Sequence, residues 1–251
     1  HVKVVKNQNY WKKGLPHLDG INWTIIKSRS TRVLAFVAGK FDFTFNVDVT
    51  IPLLKDVKAQ APHAICELVT TNVSFNLIVN QFKPPFDNAK IRKAMVMTMD
   101  RKAFIDILSE GQNVQGGAMM PPPSGVWGMP PEFLKTVAGY SSDVAGNRAK
   151  ARKIMESLGY GPDNKLKVKV STRNIAVYRD PAVILIDHMK EIYIDATLDT
   201  VETSNWHAKV ARKDYMVGLN ATAVGVDDPD ANFFENYSCG SQRNYTGYCK
   251  P

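Results

Sequence analysis

Asn72-Val-Ser-Phe-Asn-Leu-Ile-Val-Asn80, then Gln81-Phe-Lys-Pro-Pro-Phe-Asp-Asn88, then the run 89–108, is the stretch on which the reading of this chain turns. It opens with strict alternation. Val73, Phe75, Leu77 and Val79 point one way, and Ser74, Asn76, Ile78 and Asn80 the other. A period of two with β-branched and aromatic residues predicts a strand. Pro84 and Pro85 forbid both helix and ladder, so the chain must turn there. Asp87 or Asn88 then caps a helix, because a short side-chain oxygen satisfies orphan N–H groups. Ile91, Met95 and Met99, with Ala94 and Thr98, form an apolar stripe at helical spacing, expected in the core. Asp100 offers a second cap, and Phe104, Ile105 and Leu108 continue the apolar face.

Working outward, the chain alternates strand and helix signals on both sides. Upstream, 2–5 and 21–26 read as strands, and Ser28 or Ser30 caps a helix over 31–38 that Gly39 stops. The run 41–45 reads as the next strand, making a β-α-β unit. A helix follows from Thr50 or Ile51-Pro52, and Pro62 breaks it before a strand at 64–69 in which Cys66 is a core thiol. Downstream, 110–139 is a loop rich in Gly, Pro and Met. Loops of that length are usually functional. Trp127 within it either packs under its own loop or faces a ligand. A helix within 143–161, with Asn147 as its cap, precedes a strand at 166–171. Asp180 caps and Pro181 opens a helix to about Tyr193. Strands at 196–201 and 215–219 flank a short helix that Ser204 caps and that carries Trp206. Two α/β units separated by the central stretch predict two small lobes, not one continuous sheet.

Composition narrows the function. No run in the 251 residues approaches the ~20 apolar residues that a membrane span needs. The net charge of +8 comes from scattered Lys and Arg with no aromatic-interleaved basic stripe, so nucleic acid is not the expected partner. There is no Gly-x-Ser-x-Gly elbow, no His-Glu-x-x-His, no Walker loop and no Gly-x-Gly-x-x-Gly. The five histidines (His1, His17, His63, His188, His207) show no ligand spacing. No enzyme, metal or cofactor is expected. Cys239 and Cys249 bracket a loop rich in Gly, Ser, Asn and Tyr. A local disulfide fits there and implies an oxidising compartment; a zinc pair is the alternative, with no further ligands close in sequence.

Candidate binding residues sit after predicted strands, where ligands of open α/β sheets collect. Asp227, Asp228 and Asp230 follow the strand at 215–219 and could take a cationic amine, or simply make a turn and a helix cap. Arg173, beside Thr172 and Asn174, could grip a carboxylate bidentately. Tyr178 and Trp206 could wall an apolar pocket, or pack in the core.

Several ordered blocks carry a resemblance. One is Leu77-Ile-Val-Asn80 with Pro84-Pro-Phe-Asp-Asn88, Ile91-Arg-Lys-Ala94 and Met99-Asp-Arg-Lys-Ala-Phe104. Others are Asn9-Tyr-Trp11 through Leu18-Asp-Gly-Ile21, Ser30-Thr-Arg32 with Ala38-Gly-Lys-Phe-Asp42, the helix ending at Gly159-Tyr160, and Asp228-Pro-Asp230. Together they resemble family 5 of the extracellular solute-binding proteins, the peptide, nickel and opine receptors of ABC importers. The resemblance implies an α/β, periplasmic-binding-protein-like two-lobe fold with mixed sheets. Residues 1–71 would be part of the first lobe, 72–80 a hinge strand crossing between lobes, and 81–251 the second lobe. It implies a monomer, truncated at both ends and without its signal peptide, that captures a peptide or peptide-like solute in the periplasm and delivers it to an inner-membrane permease. The ligand-binding residues would be Trp127, Arg173, Asn174, Tyr178, Asp227 and Asp228, and Cys239–Cys249 a disulfide, as in the family. The spacing departs at one point. Gly225 stands where dipeptide receptors carry an acid before Asp-Pro-Asp, and Asp227 is the nearest candidate. A receptor for an opine, sugar or metal chelate is the alternative on the same fold, and a hydrolase the alternative outside it.

Overall fold

The computed structural model describes residues 1–45, 47–69, 73–117, 126–223 and 225–249. Asn72, where the expected hinge strand begins, and residues 118–125 of the Pro-rich loop lie outside the described residues. Contacts divide the chain into two compact units, His1–Cys66 and Glu67–Pro251.

In the first unit, β1 (Val2–Val5) and β2 (Gly20–Trp23) pair antiparallel, with Val2 opposite Trp23 and Val5 opposite Gly20. Gly20 is required by that pairing, since a Cβ there would lie 2.6 Å from the Val4 carbonyl oxygen. Helix α1 (Arg29–Val37) is capped by Ser28, which accepts from the Thr31 amide. Helix α2 (Ile51–Gln60) begins with Pro52 in its first turn, as the fixed φ of proline favours. The polar anchor is Asp48, nine-tenths and more buried. Its carboxylate accepts from Arg32 at 2.6 and 2.9 Å, and its carbonyl from Arg29 at 2.7 Å. Burial makes that pairing obligatory, because an uncompensated carboxylate there would be costly.

Two strand expectations fail, one within this unit and one at its boundary with the second. Residues 41–45 and 64–69 are not strands, so no β-α-β crossover forms. The run 41–45 has the right alternation, but no neighbour supplies a hydrogen-bond ladder. Phe43 meets Trp23 edge-on at 6.1 Å instead. In 64–69, Ile65 is 91% exposed and Cys66 is only half-buried, so the expected core thiol is not in the core.

The second unit is built on a four-stranded mixed sheet of β3 (Val73–Val79), β4 (Leu166–Arg173), β5 (Ile194–Val201) and β6 (Val217–Ala223), in the order β3-β6-β4-β5. β6 runs antiparallel to β3 and parallel to β4, and β4 runs parallel to β5. α3 (Ala89–Thr98) is capped by Asn88 and α4 (Arg101–Ser109) by Asp100. The short α5 (Pro131–Leu134) follows, then α6 (Val144–Glu156), α7 (Ala176–Lys190), α8 (Thr203–Ala211) and α9 (Pro229–Tyr237).

Strand alternation sorts the two faces. Leu77 and Val79 of β3 pack on the main core, where Phe86, Ile91, Met95, Met155, Leu185 and Met189 are fully or almost fully buried. Ile78, one residue out of phase, packs with Trp206, Val210 and Tyr215 on the other face. Both the Met stripe and Trp206 are therefore core. Asn76 donates to Thr222 Oγ1 at 2.9 Å, and Trp206 Nε1 to Asn220 Oδ1 at 3.3 Å.

Local boundaries differ from expectation where packing overrides a cap. Asp143, not Asn147, caps α6 through the Gly146 amide at 2.8 Å, while Asn147 lies inside the helix and donates to Ser141. α7 starts at Ala176, so Pro181 sits within it. The lost hydrogen bond is tolerated because Pro181 is itself buried alongside Ala182, Leu185 and Met189. Glu202, not Ser204, occupies the cap position of α8. β6 starts at Val217, because Tyr215 turns into the second cluster and donates its hydroxyl to the Tyr245 carbonyl at 2.6 Å.

Cys239 and Cys249 form a disulfide. Within its loop Asn244 is buried, and its amide donates to the Ser238 and Tyr248 carbonyls at 3.1 and 2.6 Å. Replacing both cysteines by Ser is expected to lower unfolding stability by about 2–3 kcal/mol, measured by denaturant titration. An unchanged midpoint would refute a stabilising role for the bridge.

His188 is buried at the end of α7, with Phe104 edge-on at 5.3 Å and the Asp100 amide donating to Nδ1 at 3.4 Å. Burial first, and then Arg148, holds its pKa below the usual 6.5. The unfolded chain therefore binds the proton more readily than the folded one. Stability is retained above about pH 6.5 and lost as pH falls below it toward the folded pKa. The stability difference between the wild type and His188→Gln is expected to hold above about pH 6.5 and to narrow as the pH falls below it. A difference that is flat or widens on acidification would contradict the assignment.

Candidate functional site

The sheet of the second unit brings its functional ends to one edge. β4, β5 and β6 are parallel, so Arg173, Val201 and Ala223 end on the same side, and antiparallel β3 starts there. This is the carboxyl edge at which open α/β sheets hold ligands.

Arg173 closes β4, and the Asn174 amide donates to the Val201 carbonyl at 2.9 Å, pinning the strand end. The guanidinium carbon lies 3.7 Å from the centre of the Tyr178 ring, in the first turn of α7. Tyr178 in turn meets Phe75 of β3 edge-on, at 5.6 Å and 64°. Nε of Arg173 is buried without a hydrogen-bond partner, and no carboxylate pairs with the guanidinium among the described residues. The nearby acid on β5, Asp199, is engaged elsewhere. It accepts from Ser171 Oγ at 2.7 Å and lies 3.9 Å from Lys209 Nζ. Burial lowers the Arg173 pKa, while Tyr178 and Tyr245 act the other way. Arginine stays a cation throughout. Its charge, after burial itself, helps push His207 below its usual pKa.

The acidic loop beyond β6 behaves differently. Asp228 caps α9, accepting from the Asp230 amide at 2.8 Å, so the turn-and-cap reading describes it. Asp227 is exposed. Its Oδ2 accepts from the Val126 amide at 3.3 Å, and its carbonyl from Trp127 Nε1 at 2.9 Å. Trp127 is 49% exposed. Five of the six expected residues thus fall into two groups. Trp127 and Asp227 meet, Arg173 and Tyr178 meet, Asn174 shares the second group through its backbone only, and Asp228 is a cap. Sequence reasoning missed Phe75 as the neighbour of Tyr178. Its place on the alternating face of β3 was the only signal.

An open groove of about 410 Å³ lies at the opposite edge of this sheet, beside the disulfide loop, lined by Phe82, Lys213 and Asn244. It contains none of the candidate residues. Among the described residues no group of three or more His, Cys, Asp or Glu side chains could hold a metal ion, and no helix is long and apolar enough to cross a membrane.

Comparison with known proteins fits this architecture. Residues 1–244 match the family described as bacterial extracellular solute-binding proteins, family 5 Middle. The glutathione-binding protein GsiB of Salmonella paratyphi A is 25% identical over 213 residues, covering 84% of this chain and 38% of that relative. The chain thus spans well under half the length of that curated relative. Among solved structures, the periplasmic binding protein DppA from Helicobacter pylori, in complex with the peptide STSA, superposes with a TM-score of 0.75 at 19% identity, over 99% of this chain and 46% of that one. Haemophilus influenzae OppA, in complex with RPPGFSPFR, gives 0.71 at 22% identity, over 89% of this chain and 43% of that one. At these identities the structural likeness establishes the fold, and the match over residues 1–244 establishes the kinship. This chain belongs to the bacterial extracellular solute-binding proteins of family 5.

Proposed function

We propose that this chain is the solute-binding component of an ABC importer, capturing a peptide or peptide-like solute in the periplasm and passing it, unaltered, to an inner-membrane permease. The observation that carries the reading is Arg173. It is a half-buried cation whose Nε is buried without a hydrogen-bond partner and which has no carboxylate partner among the described residues, lying on Tyr178 at the carboxyl edge of the sheet. Leaving a buried N–H donor unpaired is costly unless something else completes it. A ligand carboxylate is the natural complement, because the guanidinium fork matches its two oxygens. Asp227, exposed beside Trp127, supplies an anionic group for a ligand amine. A peptide carries both ends. The names of relatives agree in kind: one is a glutathione-binding protein, and two structures hold the peptides STSA and RPPGFSPFR.

In this reading residues 1–71 contribute to the first lobe, 72–80 form the crossing strand and 81–251 the second lobe. Closure is driven by contacts that the ligand makes only in the shut state. The protein works as a monomer, and Trp127, Asn174 and Tyr178 border the ligand. A second reading is a receptor for an opine, sugar or metal chelate. Gly225 favours it, because no acid stands at the position where dipeptide receptors hold the amine.

Two measurements test the proposal on the protein purified, without refolding, as its host makes it. Native mass spectrometry is expected to find a retained solute with the mass of a short peptide. A retained sugar or chelate would select the second reading, and turnover of ester or peptide substrates would overturn a pure binding role. In Asp227→Asn, affinity for Ser-Thr-Ser-Ala is expected to fall roughly tenfold or more, the cost of losing a charge-assisted hydrogen bond. Affinity for the N-acetylated peptide should be unchanged. Equal affinity of wild type and variant for the free peptide would remove Asp227 from the site.

A further inference from the structure

We infer that Tyr178 is a positioning residue, whose ring holds the Arg173 guanidinium by its face and so leaves its N–H donors unengaged by a protein acid and available to an anionic ligand group. The inference rests on the carboxylate reading of Arg173 given above, and adds how the fork is kept available.

Proteins commonly fix an arginine by pairing it with Asp or Glu. That pairing engages the in-plane N–H donors and cancels the charge. Stacking does neither. An aromatic ring meets the guanidinium through its face, and all five donors lie in the plane at its edge. Arg173 has the second arrangement, with its central carbon 3.7 Å from the Tyr178 centroid and no acidic partner among the described residues. Asp199, the last carboxylate within β5, is held by Ser171 and Lys209, and so does not compete for it.

The ring is itself fixed from two directions. Its backbone lies in a tight turn, with the Ile175 amide donating to the Arg173 carbonyl at 2.8 Å and the Tyr178 amide donating to the Ile175 carbonyl at 2.9 Å. These bonds tie the helix start to the end of β4, so ring and guanidinium rise from one rigid corner. Phe75, on the adjoining part of β3, packs edgewise against the same ring at 5.6 Å. Such a T-shaped contact favours one ring plane over others. The order Phe75, Tyr178, Arg173 therefore passes orientation from the sheet to the cation. α7 has no side-chain cap hydrogen bond at its start and carries Pro181 inside it. The early start of this helix, against both local signals, is what brings Tyr178 over Arg173.

The test uses protein labelled with ¹⁵N-arginine and two peptides, Ser-Thr-Ser-Ala with a free carboxylate and the same peptide as its C-terminal amide. The Nε–H signal of Arg173, assigned by its loss in Arg173→Lys, is expected to be displaced by the ring current of Tyr178. It should move to the position of unstacked arginines in Tyr178→Leu and stay in place in Tyr178→Phe. Tyr178→Leu is expected to lose about tenfold more affinity for the free-carboxylate peptide than for the amide, and Tyr178→Phe to stay within about twofold of wild type for both. An Arg173 signal that does not move in Tyr178→Leu overturns the positioning role, as does an equal loss of affinity for both peptides, which marks a merely structural residue. Failure of the wild type to prefer the free carboxylate, or to bind either peptide, is a separate result and overturns the carboxylate reading on which the inference rests.

Discussion

The pairing of β6 between an antiparallel β3 and a parallel β4 is the constraint on which the second unit depends. It decides which strand ends share an edge. With β4, β5 and β6 ending together and β3 starting beside them, Arg173, the loop carrying Asp227 and the alternating residues of β3 gather at one side. The same pairing sorts the core. Leu77 and Val79 join the large cluster with Met95 and Leu185, and Ile78 joins Trp206 and Tyr215. A one-residue slip of β3 against β6 would exchange those faces and turn Phe75 away from Tyr178.

The edge so formed is electrostatically uneven. Asp228 is used internally as a helix cap, and Asp199 is held by Ser171 and Lys209. Arg173 is left with an aromatic face for a neighbour, a buried Nε without a partner and, among the described residues, no carboxylate on its fork. Buried polar groups in folded proteins normally find partners, and the exceptions concentrate where a ligand or an ordered water completes them. In a chain that belongs to the family 5 solute-binding proteins, such an exception at the ligand-collecting edge of a sheet is the kind of feature that binding exploits.

Much of the fold was legible because its signals are local. Alternation over 73–79, the caps Asn88 and Asp100, the stop at Gly39 and the apolar stripe through Ile91 and Met95 each depend on residues within a few positions of one another. The family resemblance was legible for the same reason, resting on short ordered blocks. The misreadings came where a distant partner decides. Residues 41–45 alternate like a strand but find no ladder, and 64–69 is apolar yet exposed. Pro181 looks like a helix start, but burial of the helix around it outweighs one lost hydrogen bond. In the candidate site, residue types were readable and their grouping was not. Nothing in the sequence joins Trp127 to Asp227, or Phe75 to Tyr178, because those meetings are set by strand order. Asp48 escaped notice altogether, since a buried acid is recognisable only once Arg29 and Arg32 are seen around it.

The claim at the centre of this account is that the Arg173 fork is completed by the ligand. A crystal structure of the protein with the solute it retains from its host tests that directly. The account predicts an anionic ligand oxygen about 2.7–2.9 Å from the Arg173 guanidinium nitrogens, with the guanidinium still lying on Tyr178. Ligand density that leaves Arg173 unpaired, or an Arg173 swung onto a protein carboxylate when the ligand is bound, would contradict it.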